Sequence, residues 1–279
     1  MRLCWIALLV AIGYALPARA ELPVLPDLKP IVARGKLVVA LRSEDVAPVV
    51  RTETSGALGG FDVDLARALA RRLGVEPEFR RQARSPDQIV AAVARGEADI
   101  GMSLLSVTAE RAKYVLFTRP YTRQDIAALV NRKRAVALGG RCPADIRVQA
   151  RQPGLVGVQA KSAIEGWFEE GVPEAKLQVF DRHEQLFEAV VAGKVLLSVQ
   201  GEIGARRLLH ANPAASIQLQ LCVLETRPDP IAIAVRPDAP GLARWIDAFL
   251  LERDVFVEAE AIARYEGPWT FRKGERRGR

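Results

Sequence analysis

Two apolar periods alternate along this chain. Residues 36–41 are short, branched and apolar, the pattern of a strand buried on both faces. Phe61, Leu65, Leu69 and Leu73 then recur at every fourth position, with Arg67, Arg71 and Arg72 on other faces. That spacing predicts an amphipathic helix stopped by Gly74. Ser85-Pro86-Asp87 has the form of an N-cap with proline at the first helical position, opening a helix that carries Ile89, Val90 and Val93 to Gly96. Residues 98–105 return as a strand. The logic then repeats, with strands at 155–158, 176–180 and 195–199. Capping boxes are predicted at Ser162/Glu165 and Asp181/Glu184. The second box opens a helix whose inner face is Leu186, Phe187, Val190 and Val191. A strand at 231–235, a helix from Pro240 carrying Leu242, Trp245, Ile246 and Phe249, and a helix over 254–265 complete the pattern.

Strands alternating with helices of this length imply an α/β fold with mainly parallel sheets flanked by helices. Ligands in such sheets sit beyond the carboxyl ends of strands. The candidate site stretches are therefore 103–111, 159–162 and 200–202.

The first twenty residues stand outside this pattern. Arg2 precedes an apolar run at 3–16, and Ala18-Arg19-Ala20 is a small-x-small cleavage pattern. A secretory signal peptide cleaved after Ala20 is expected, and with it a periplasmic location. No later stretch is apolar for long enough to span a bilayer.

The chain has 279 residues and a formal charge of +7, and loss of Arg2 and Arg19 lowers this to +5. The basic residues are scattered, apart from the tail 272–279. Without aromatic interleaving or zinc-finger spacing, nucleic acid is not an expected partner. Cys142 and Cys222 are the cysteines beyond the leader; in an oxidising compartment they are expected to pair. His183 and His210 have no carboxylate cluster around them, so neither a metal nor a cofactor is expected.

The stretch Gly60-Phe61-Asp62-Val63-Asp64-Leu65-Ala66 strongly resembles the "G-F-D-x-D-L-A" signature of bacterial solute-binding proteins of family 3, the polar amino-acid receptors of ABC importers. Further pieces follow in the family's order. Ala47-Pro48 precedes the signature, and Gly96-Glu97-Ala98-Asp99-Ile100 matches "G-x-x-D" before a strand. Ser106-Val107-Thr108-Ala109-Glu110-Arg111 with Phe117 and Pro120-Tyr121 matches "S-x-T-x-x-R…F…P-Y". The resemblance implies a two-lobed type II periplasmic binding protein joined by two crossing strands. Lobe one would be residues 21–124 and 236–279, and lobe two residues 125–235. It implies a monomer that closes on a small solute and hands it to an inner-membrane ABC permease.

The resemblance also assigns site residues. Arg111 would grip a ligand carboxylate, aided by a helix starting at Thr108. Ser103 and Ser106 would offer polar groups, although a serine at a strand end is equally a turn or cap residue. Ser162 would cap a helix and reach the cleft. Lys161 stands where the family has glycine; it either adds a second cation to the cleft or points into solvent.

Two departures weaken an amino-acid site. The aromatic platform before Ala-Pro is Val46, and the family's ammonium-holding aspartate reads Gly201. Glu202, one position on, either takes that role or merely favours a helix start; Glu44 and Asp45 are the other candidates. A ligand without an α-ammonium would need no such partner. The expected function is therefore capture of a small carboxylated solute other than a standard α-amino acid, without catalysis. Two other functions occur on the same fold. One is an accessory partner of a periplasmic dehydrogenase or sensor. The other is a cyclohexadienyl dehydratase-like enzyme, which would require a general acid aimed at a leaving hydroxyl.

Overall fold

The computed structural model describes residues 23–136, 139, 142–143, 145–224 and 228–267. The expected leader with its cleavage point, and the basic tail, lie outside these residues.

Two five-stranded sheets organise two lobes. In spatial order the first sheet is Glu76–Ala83, Lys36–Arg42, Ile100–Gly101, Ala234–Val235 and Leu116–Phe117. The first three strands are parallel, and Ala234–Val235 is antiparallel to both neighbours. The second sheet is Gln178–Phe180, Val156–Gln159, Leu197–Gly201, Ile126–Asn131 and Leu219–Val223. Here too three strands are parallel, and Ile126–Asn131 runs against both of its neighbours. The chain crosses to the second lobe through Thr122–Gln124 and comes back through Asp229–Ile231. These two segments pair antiparallel, placing Asp229 opposite Gln124. Val257–Glu258 adds a third, parallel strand.

Sequence periodicity located the strongest elements. Phe61–Leu73 is a helix with Phe61, Leu65 and Leu69 fully buried, ended by Gly74. Ser85 caps Pro86–Ala94 by accepting a bond from Gln88 N. Pro240–Glu252 buries Leu242, Ile246 and Phe249. Leu37, Val39, Leu65, Leu69, Leu242 and Ile246 share the main core of the first lobe. Val156, Val158, Phe168 and Leu197 share one in the second.

Other expectations are corrected. Of 98–105 only Ile100–Gly101 pairs as strand, because the chain turns sharply at Ser103 (φ 102°) and Leu104 (φ 52°). The 231–235 segment is two short strands in different sheets. The helix of the second capping box starts at His183 with Arg182 as its N-cap, whose N–H donates to Gln185 rather than to Glu184. The final segment is a short strand, Val257–Glu258, followed by a short helix, Ala259–Ala263. Cys142 and Cys222 form a disulfide with Cα atoms 5.6 Å apart. No helix among the described residues is long and apolar enough to cross a membrane.

Candidate functional site

The signature segment shapes the site from below. Gly60 has φ 116°, and a Cβ there would lie 2.3 Å from the Val49 carbonyl oxygen, so only glycine fits. That turn buries Asp62 at the start of the helix. Its carboxylate accepts bonds from Ser103 N (2.8 Å), Leu104 N (3.1 Å) and the Tyr121 hydroxyl (2.8 Å). Asp62 thus pins the left-handed turn that follows Ile100–Gly101. Burial pushes its carboxyl up to about 6, against the opposing pull of these three donors.

The turn and the segment after it form one wall of a cavity of about 320 Å³ between the lobes. Ser103, Ser106 and Arg111 line it from the first lobe, and Gln159, Ser162 and Gly201 from the second. Arg111 is held firmly. Its Nε donates to Asp87 Oδ1 (3.0 Å), its Nη1 to the Ser106 carbonyl (3.0 Å), and its backbone N–H to Thr108 Oγ1 (3.2 Å). The expected helix from Thr108 is a single 3₁₀ turn, Arg111–Lys113. The guanidinium therefore supplies the positive potential without a helix dipole behind it.

The other expected residues divide. Ser103 Oγ accepts from Arg42 N (3.1 Å), and Ser106 Oγ donates to Asp229 Oδ2 (2.7 Å). Ser162 Oγ caps the helix Ala163–Gly171 by accepting from Glu165 N (3.1 Å), and it lines the cavity. Lys161 is exposed and borders a wider outer groove of about 1060 Å³, which Arg111 and Ser162 also line. Its backbone is left-handed (φ 55°), and it is absent from the inner cavity's lining. Glu202 is absent from the cavity lining. Its Oε1 accepts from Arg206 Nε (2.7 Å) on its own helix and its Oε2 from Asp125 N (3.4 Å) beside the crossing strand, so both oxygens are already engaged. Val46 lines the cavity as an aliphatic wall, and no Phe, Tyr or Trp does so among the described residues.

Sequence reading missed what lies on the cavity floor. Asp229 Oδ2 also accepts from Gln124 Nε2 (3.2 Å). Asp229 lies at a crossing strand, held against the first lobe by the bond from Val107 N to the Pro230 carbonyl (2.9 Å). Burial raises its pKa, opposed by Ser106, Gln124 and Arg111. Its setting in Pro228-Asp229-Pro230 reads as a turn; the only available clue was an acid directly before the return strand. The far end of the cavity is lined by Arg42 and Glu44 from the first lobe and by His183, Glu184 and Arg207 from the second. Burial, together with Arg42, lowers the pKa of His183, although Glu184 pulls the other way. No cluster of metal-ligating side chains occurs among the described residues.

Beside a turn pinned by a buried signature aspartate, a fixed arginine and a cleft between two α/β lobes, residues 37–262 match the profile of bacterial extracellular solute-binding proteins, family 3. The chain belongs to that family. Cyclohexadienyl dehydratase of Pseudomonas aeruginosa is 29% identical over 245 residues, 86% of this chain and 78% of that one. L-cystine-binding protein TcyJ of Escherichia coli K12 is 25% identical, over 60% of this chain and 59% of that one. The ancestral amino acid-binding protein AncCDT-1, a precursor of cyclohexadienyl dehydratase, superposes with TM-score 0.68 at 29% identity. That match covers 81% of this chain and 93% of that structure. The family and the two-lobed fold thus stand, and most of these relatives bind amino-acid-type solutes.

Proposed function

We propose that this protein is an exported receptor that captures a small amino-acid-type carboxylated solute and delivers it to an ABC permease of the inner membrane. The observation that carries this reading is Arg111. Its guanidinium is nearly buried, held on two sides by Asp87 and the Ser106 carbonyl, and borders a cavity of small-solute size. A planar cation fixed in that way is prepared for a carboxylate and loses little freedom on binding.

The test is a thermal-shift screen of amino acids, dicarboxylates and aromatic acids, followed by calorimetry of the hits. The expected result is stabilisation by at least one carboxylate without turnover. Arg111→Ala should weaken that ligand on the order of 100-fold. Unchanged affinity in this variant would overturn the assignment.

A second reading has one observation in its favour. Asp229 is a carboxyl of raised pKa in the cavity, the property a general acid needs, and a dehydratase is among the relatives. Turnover of a cyclohexadienyl substrate, lost in Asp229→Asn, would select it.

A further inference from the structure

The family's acid is missing from position 201, and the structure supplies the reason. A Cβ at Gly201 would lie 2.3 Å from Gln124 Oε1 and 2.6 Å from Gln124 Cδ. The space of a side chain at 201 is already filled by the Gln124 amide, which enters from the crossing strand. That amide donates its N–H to Asp229 Oδ2. Its carbonyl oxygen, Oε1, is buried and has no hydrogen-bond partner among the described residues, although Gln124 itself is only 7% exposed. A buried amide oxygen left unpaired is costly unless something occupies it. Asp229 has a carboxylate oxygen, Oδ1, that takes part in neither of its side-chain bonds; both converge on Oδ2, from Ser106 and Gln124. Both residues line the cavity, as does Arg111.

We propose that Asp229 Oδ1 and Gln124 Oε1 together form an ammonium subsite on the cavity floor, making the ligand a zwitterion whose carboxylate lies on Arg111. This deepens the receptor reading and rests on it. It also replaces the expectation of a ligand without an ammonium, which rested on the glycine at 201 and the missing aromatic platform at Val46. The carboxylate of Asp229 supplies the counter-charge, and the amide oxygen supplies a second acceptor of fixed direction. Ser106 and Gln124 Nε2 hold the acid in place, so both halves are positioned before a ligand arrives.

Calorimetry at neutral pH tests the subsite. The probes are the standard L-α-amino acids and, for each that binds, the analogue with hydrogen in place of the α-ammonium. The wild-type protein is expected to bind at least one amino acid on the order of 100-fold more tightly than its analogue, since a buried ion that loses its partner is costly. Asp229→Asn keeps the shape and should abolish most of that preference while leaving the affinity of the analogue within a few-fold. Gln124→Leu removes the amide oxygen at similar volume and should reduce the preference about tenfold. Melting curves would establish that both variants fold. Equal binding of amino acid and analogue by the wild-type protein would overturn the subsite and leave the receptor reading standing. So would an unchanged preference in a folded Asp229→Asn protein. Binding of neither class would overturn the receptor reading itself, and the subsite with it.

Discussion

Tyr121 shows how much one hydroxyl can organise. It is fully buried, stacks on Phe61 with ring centroids 5.8 Å apart, and donates to Asp62. Tyr121→Phe keeps the ring but leaves a buried carboxyl oxygen without its donor. A loss of about 1–3 kcal/mol is expected in urea unfolding, with the turn at Ser103 loosened. Asp62 also sets a pH trend. Its pKa is raised in the fold from an ordinary 3.8 to about 6, so the folded state favours the protonated acid. The stabilisation from this residue is full below about 4 and is lost as pH rises through about 6. At this scale the sequence was legible wherever a partner lies near in the chain. Ser85 and Ser162 announced their caps because each bonds the N–H three positions on. Asp229 did not announce itself, because its partner Ser106 is 123 positions away and no local pattern joins them. Lys161 stayed open between a cleft cation and a solvent-facing side chain, because its place in the motif was visible but its exposure was not.

Among the elements, the helix Pro86–Ala94 links fold to site. Ser85 caps it, Pro86 sets its first turn, and Asp87 on that turn holds Arg111 Nε. Ser85→Ala is expected to cost about 1 kcal/mol in chemical denaturation. Asp87→Ala should change stability less but weaken carboxylate binding severalfold in calorimetry, by freeing the guanidinium to sample other rotamers. The long amphipathic helices were plain from their period, because one face of each must be buried. The lengths of the short strands were not, and the strand at 257–258 was read as helix. Ile100–Gly101, Ala234–Val235 and Val257–Glu258 have two residues apiece. They exist because neighbouring strands offer them partners, and that is tertiary information. Glu76–Ala83 was missed for a related reason. It is polar and only half-buried along most of its length, yet it pairs as an edge strand beside Lys36–Arg42.

For the whole molecule, two features respond to conditions that the periplasm would impose. The disulfide spans 80 residues of chain, all of them in the second lobe. Reduction, or Cys142→Ser with Cys222→Ser, is expected to lower the stability of that lobe by about 4 kcal/mol on the chain-entropy account. Two-probe unfolding should then show the second lobe melting before the first. His183 of the second lobe faces Arg42 of the first across the cavity, beside Glu184 and Glu44. Because its folded pKa is lowered, its contribution to stability is present above about 6.5 and is lost as pH falls through the folded value. Melting temperature should therefore drop on acidification more steeply in the wild-type protein than in His183→Gln. The position of Asp229 and Gln124 on paired crossing strands has a kinetic consequence. Groups on the axis of a swinging joint keep their place while the bodies on either side travel. A solute would meet its counter-charge equally well at every opening angle and would dock before the lobes come together. In rapid-mixing experiments the observed rate should then climb with solute concentration and level off at the speed of the swing, the signature of docking followed by rearrangement.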